Sequence, residues 1–471
     1  MAPFSFYWHD YETFGVVPRR DRPAQFAGLR TDAELNEIDA PLTLYCRPAA
    51  DTLPEPEACL ITGITPQVCE QRGVAERDFA DAIEAQLARP GSVGCGYNSL
   101  RFDDEVTRHL FWRCLIDPYA REWQNECGRW DLLDTVRCAW ALRPEGVQWP
   151  TRDDGKPSFK LEHLTAANGL AHEAAHDALS DVRATIALAR LVKSSQPKLW
   201  AHCLKLHKKQ AVIDEMGVGR PFVHLSGRYP VERGCMAVVW PLAPHPSFKN
   251  EVIVWDLARD PRELFALNAK AIRERLFSAA DALPAGQTRL PIKTIHLNKS
   301  PIVIGNLKTL GAATTRWGID LDQSLHHAEI AMRQANSMAG IWPEVYERPA
   351  PSEPIDVDED LYGGFLDNED RRALQRLRAL PPERLAERHP AFNDPRLDEL
   401  LLRFRARNHP ESLDAVDRRR WRDHCRQRWL QAPAWIDRIA ALEATTDARG
   451  RAVLAELRRW GEAAAAAAGS A

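Results

Sequence analysis

The run Phe4-Ser5-Phe6-Tyr7-Trp8 places aromatic side chains on both alternating sets of positions. Successive side chains of a strand point to opposite faces, so such a run is stable only where both faces are covered. It predicts a central strand in a sheet packed on both sides. The run passes almost directly into Asp10-Tyr11-Glu12-Thr13, which puts two carboxylates at i and i+2, on one face of that strand. Acids so placed repel unless a cation lies between them or the strand end is solvated. On this piece alone both readings stand.

Further strand-like runs lie at 24–30, 42–46 and 92–97, the last bearing Gly94 and Gly96. Between and after them come helical spacings: Val106, Leu110, Phe111 and Leu115, then Leu179, Val182, Ile186 and Ala189. Strands and helices mixed in this way predict an α/β region through residue 192. From about 200 to 350 the pattern changes to short β-branched runs broken by Gly and Pro, at 222–225, 236–240, 252–255, 293–297 and 301–304. These predict a small β-rich domain. The segment Arg348-Pro349-Ala350-Pro351-Ser352-Glu353-Pro354, with the acidic 356–360 behind it, reads as a linker. Beyond it the sequence is helical and Arg-rich, at 397–407, 418–430 and 451–460, and its Ala-rich end is expected to fray.

At 471 residues the chain exceeds what one core serves, which fits two or three domains. It holds 62 basic and 66 acidic residues, a net charge of −4 that excludes a histone-like basic protein but not a local nucleic-acid groove. No apolar run reaches membrane-spanning length, and the start of the chain does not read as a secretory signal. None of the ten cysteines forms a C-x-x-C pair, so the chain reads as cytoplasmic and reduced. His202-Cys203 with His207 lacks a fourth ligand and is taken as filling rather than zinc binding.

Two more pieces carry chemistry. In Asn98-Ser99-Leu100-Arg101-Phe102-Asp103-Asp104 a strand gives way to a helix with Asp103 in its first turn, where the helix dipole favours an acid whatever its role. In His176-Asp177-Ala178-Leu179-Ser180-Asp181, Asp177 is placed to cap a helix that carries Asp181, and His176 falls just outside it. Each piece alone reads equally well as structure. Together they give D-x-E, then D, then H-x-x-x-x-D in one α/β region.

That order resembles the DEDD exonucleases, in the subtype marked by histidine before the last aspartate; the tyrosine subtype would carry Tyr where this chain has Asp177. Stretch 60–66 looks like that family's turn between the early strands and a helix; more narrowly, 9–15, 21–26, 96–108, 130–134 and 157–181 are similar to the bacterial exodeoxyribonuclease I family, and 403–408 fits its C-terminal region. The resemblance implies an RNase H-like α/β exonuclease domain at 1–192, an SH3-like β-rich domain at 197–350 and an all-α C-terminal domain at 355–471. It implies 3′→5′ hydrolysis of single-stranded DNA to 5′-mononucleotides, in DNA repair and recombination. Asp10, Glu12, Asp103 and Asp181 would hold two Mg²⁺, with Mn²⁺ as a substitute, and His176 would be the general base. Four carboxylates offset two divalent cations, and a histidine near its ordinary pKa of about 6.5 suits proton transfer at neutral pH.

Glu12 and the Thr13-Phe14 backbone would meet the terminal nucleotide. Lys160, where the family typically has arginine, would contact phosphate without the bidentate fork. Arg143, Lys205, Lys208 and Lys209 are further groove candidates, with Trp140, Trp149 and Phe159 as stacking faces. The implied partner is the acidic C-terminal tail of single-stranded-DNA-binding protein; a monomer and no membrane association are expected. Two other readings stay open: an RNA-trimming relative, and an inactive nucleic-acid-binding scaffold.

Overall fold

The computed structural model describes residues 4–172, 177–334, 338, 340–348, 354–385 and 391–469. Strand β1 (Ser5–Thr13) is buried throughout except at the partly exposed Asp10. It pairs antiparallel with β2 (Pro23–Thr31), which pairs with β3 (Leu42–Tyr45), and parallel with β4 (Ser92–Gly96). A parallel pair needs a crossover, here supplied by the helices Pro56–Thr62, Pro66–Arg72 and Glu76–Leu87. The double-sided aromatic run is thus the centre of the sheet, as the sequence requires. Gly96 ends β4 where a side chain has no room, since a Cβ there would lie 2.7 Å from the His9 carbonyl oxygen.

The chain divides into two compact units: residues 1–128, 172–186 and 353–471 form the first, and 129–171 with 187–352 the second. In the first, Tyr7, Tyr11 and Phe26 pack with Phe79 and Ile83 of the helix Glu76–Leu87. The same core takes in Leu397, Leu400, Leu401 and Phe404 of the helix Arg396–Asn408. A second cluster joins Phe14, Ala24, Cys59 and Cys69 to Trp435, Ile439, Leu454 and Leu457. The C-terminal helices therefore complete the core around the sheet. Trp429 is buried and donates to the Ala50 carbonyl at 2.9 Å, so the Arg-rich helix Ala415–Trp429 packs through its tryptophan end.

Two expectations about this region are corrected. The acidic stretch behind the Pro-rich segment is no solvated linker: Asp358 is buried and paired with Arg22 at 3.1 Å, with Arg403 at 3.2 Å, and with Arg407. Arg407 also meets Asp51 at 2.6 Å, so buried arginines draw the acids in. The Ala-rich end does not fray where it is described. It continues the helix Ala448–Gly469, because alanine has the highest helix propensity.

Strand β5 (Gly128–Asp131), which the sequence reading passed over for lack of apolar alternation, leads towards the second unit. There β6 (Phe222–Leu225), β7 (Met236–Pro244), β8 (Glu251–Asp256), β9 (Ile292–His296) and β10 (Ile302–Ile304) form an antiparallel sheet in the order β10-β6-β7-β8-β9. All five were legible as β-branched runs. The ten cysteines are free and buried. Among the described residues no helix is long and apolar enough to cross a membrane.

Candidate active site

Alternation along β1 sends Tyr7, His9 and Tyr11 to one face, where Tyr11 packs on Phe26 with ring centroids 4.9 Å apart. Asp10 and Glu12 go to the other. The helix Asp103–Arg113 follows β4 and brings Asp103 against the same strand, where its Oδ1 accepts from the Tyr11 backbone N–H at 3.1 Å. The fourth acid comes from the helix Ala178–Ser195, whose first turn carries Asp181. Asp177 caps that helix, its Oδ1 accepting from Ser180 N–H at 3.1 Å.

Carboxylate oxygens of Asp10, Glu12 and Asp181 lie within 4.8 Å of one another. Asp103 is buried beside them, close enough to raise the proton affinity of both strand acids. Three chain segments thus converge on one acidic cluster. Desolvation, and then the charges of Asp103, Glu12 and Asp181, push the Asp10 carboxyl well above its ordinary range. Glu12 is pushed up to about 8, by burial first and by Asp181 and Asp103 next. Such a cluster is unfavourable as a set of bare charges, and an all-oxygen donor set matches a hard divalent cation. The residues fit a metal site of that type.

His176 lies outside the described residues. Two residues the sequence reading did not single out help to shape the site. His172 sits with Nε2 2.5 Å from Asp181 Oδ1. Gln25, opposite Glu12 in the β1–β2 register, holds Asp177 at 3.4 Å and accepts from Ala178 N–H at 3.4 Å. Cross-strand register signals Gln25 only once the pairing is known, and His172 matches no spacing template.

The other candidates are placed as follows. Thr13 Oγ1 donates to the Gly15 carbonyl at 2.6 Å. Phe14 is buried, its N–H donating to Arg22 O at 2.9 Å and its carbonyl accepting from Glu55 N–H at 2.7 Å, so that N–H is already committed within the fold. In the second unit, Lys160 precedes the helix Leu161–Ala167 with its side chain exposed and 3.2 Å from Glu162. Arg143 donates to Leu142 O at 2.5 Å and Thr309 O at 3.1 Å. Trp140 is buried against Phe159, centroids 5.2 Å apart, which makes it core rather than a free stacking face. His202 and His207 bond backbone carbonyls instead of forming a metal cluster with Cys203.

The family model for the exonuclease domain matches residues 7–189, that for the exonuclease I SH3-like domain 207–348, and that for the exonuclease I C-terminal domain 355–464. Exodeoxyribonuclease I of Escherichia coli (strain K12) is 44% identical over 427 residues, 90% of this chain and 89% of its own. The chain belongs to the exodeoxyribonuclease I family. A crystal structure of E. coli exonuclease I in complex with a dA16 oligonucleotide superposes with a TM-score of 0.93 at 41% identity, covering 98% of this chain and all of that one. A structure of SSB/exonuclease I with the inhibitor CFAM gives a TM-score of 0.89 at 40% identity, covering 98% of this chain and 100% of that one. Membership fixes the reaction class as exodeoxyribonuclease hydrolysis. It also makes the three regions an RNase H-like exonuclease domain, an SH3-like domain and a helical C-terminal domain.

Proposed function

We propose that the protein is a 3′→5′ exonuclease that removes 5′-mononucleotides from single-stranded DNA, with Asp10, Glu12, Asp103 and Asp181 holding two Mg²⁺. The convergence of these four acids from three chain segments carries the reading. Bound Mg²⁺ would supply Lewis-acid stabilisation of the attacking and leaving oxygens. The chain's own contributions are separate. Asp10 and Glu12 sit on β1, the buried central strand of the sheet, which would hold their carboxylates in place before substrate arrives. Asp181 is oriented by His172, and the helix that carries it by Gln25. His176 takes the proton of the attacking water. The binding of dA16 by the E. coli relative supports a single-stranded substrate.

Lys160 and Arg143 would meet the DNA backbone, and Glu12 with the Thr13 backbone the 3′-terminal nucleotide. The acidic tail of single-stranded-DNA-binding protein is the proposed partner of a monomeric, cytoplasmic enzyme with domains at 1–192, 197–350 and 355–471. The relative solved with SSB supports that partner. The test is a Mg²⁺-dependent time course on a 5′-labelled single strand beside the same strand in a blunt duplex and an RNA strand. Shortening of the DNA single strand alone, stopped by EDTA, is expected. Binding without cleavage would overturn the reading in favour of a scaffold, and preferential attack on RNA in favour of a trimming enzyme.

A further inference from the structure

In the first unit a cavity of about 270 Å³, with no member of the acidic cluster in its lining, lies between the 112–127 segment and residues 361–378. That volume is at the small end of ligand pockets and suits one compact molecule. Trp112, Tyr119 and Phe365 give it flat apolar walls, with Tyr119 and Phe365 centroids 5.9 Å apart. Three arginines also line it: Arg121, Arg371 and Arg378. Arg121 is 2% exposed and uses Nη2 on Asp104 at 2.7 Å, yet its Nε and Nη1 have no hydrogen-bond partner among the described residues. Arg378 uses Nη2 on Asp81 and Glu84 and leaves Nε buried without a partner among the described residues. Buried donors without acceptors are costly and rare.

The ion pairs with Asp104, Asp81, Glu84 and Asp117 balance the charge of these arginines. What the walls lack is therefore acceptor atoms rather than net negative charge. The backbone is also strained at the wall, where Leu115 (φ 59°) and Asn125 (φ 52°) hold left-handed conformations that non-glycine residues avoid.

We propose that this cavity binds a purine nucleoside 5′-monophosphate, the base between the aromatic walls with its ring acceptors on the buried arginine donors. Guanine O6 and N7 are acceptors of the kind arginine donors take, each here from a separate donor, because Arg121 Nη2, the atom common to both edges of its fork, is held by Asp104. Arg371, with 41% of its side chain exposed the most accessible of the three arginines, faces the phosphate. The choice of ligand rests on the reading that the enzyme releases 5′-mononucleotides, which would supply this ligand at the site of its own formation.

The test is calorimetric titration of dGMP into the full-length, metal-free protein in EDTA, so that no turnover is needed. Wild type and Glu12→Gln are expected to bind one equivalent alike. Ala120→Trp, which fills the cavity, is expected to abolish binding, and Phe365→Ala with Arg371→Glu to weaken it at least about tenfold. The double variant alters exposed side chains, so it decides the matter if Ala120→Trp fails to fold. Binding that survives both cavity changes, or is lost in Glu12→Gln alone, would place the nucleotide elsewhere and overturn the proposal. So would absence of binding, or equal competition by inorganic phosphate. Failure of the nuclease assay would count against the proposed function and leave this binding result standing.

Discussion

The acidic cluster predicts that one conservative substitution makes the metal-free protein more stable while destroying its function. Glu12 has its carboxyl raised from an ordinary 4.5 to about 8 by burial and by Asp181 and Asp103. Folding therefore works against ionisation of this group, and the penalty depends on pH. It is absent below the unfolded value and grows as pH rises, levelling off above the folded one. Linkage makes it about 1 kcal/mol near pH 5, about 3 kcal/mol at pH 7 and about 5 kcal/mol near pH 9. Asp10 adds to it in the same direction. Glu12→Gln removes the ionising group while keeping its shape. In EDTA its thermal midpoint should exceed that of wild type, by a margin that widens from about pH 5 to about pH 9. Added Mg²⁺ should raise the midpoint of wild type, since a ligand bound only by the folded state stabilises it, and should do much less for the variant. Differential scanning fluorimetry over a pH series reads both effects. A variant no more stable than wild type in EDTA at the alkaline end would refute the repulsion argument, whatever happened to activity.

Other perturbations test separate parts of the reading. Asp10→Ala or Asp181→Ala should abolish cleavage of labelled single-stranded DNA while gel-shift binding persists; full activity in either would remove it from the site. His176→Ala should cut the rate by about 10²-fold or more and flatten the acid limb of the pH–rate profile, with Mg²⁺ binding by calorimetry retained. His172→Ala should lower activity less, and should weaken Mg²⁺ affinity through a less well oriented Asp181; unchanged affinity would reduce His172 to packing. Arg407→Ala takes one arginine from Asp51 and Asp358, both held well below the usual carboxylate range chiefly by Arg407 and Arg22 against burial, and leaves the two acids to share Arg22. It should cost about 3–5 kcal/mol by denaturant unfolding, the figure for removing one partner of a buried ion pair.

What the sequence disclosed and what it hid follow a physical division. Elements with a period were readable: β1 by its double-sided aromatics, β6 to β10 by β-branched runs, the helix Ala178–Ser195 by its apolar stripe. Asp10, Glu12, Asp103 and Asp181 were readable as a candidate set because strand alternation and helix starts constrain them locally, and because their order matched a known pattern. Long-range polar partnerships were not. Nothing local says that Asp358, in an acidic stretch behind prolines, pairs with Arg22 more than three hundred positions away, or that the Ala-rich end stays helical beside Trp435. Burial inverts the usual reading of such segments: a carboxylate that looks solvated in sequence becomes a fastener once arginines on another element need an acceptor. The two acidic clusters of the first unit show the difference. Asp51 and Asp358 face Arg22 and Arg407 and hold their protons weakly, whereas burial and the charges of neighbouring acids make Asp10 and Glu12 hold theirs tightly. The first cluster is complete within the chain. The second is a set of acids that could hold cations, and that asymmetry is what the proposed metal site rests on.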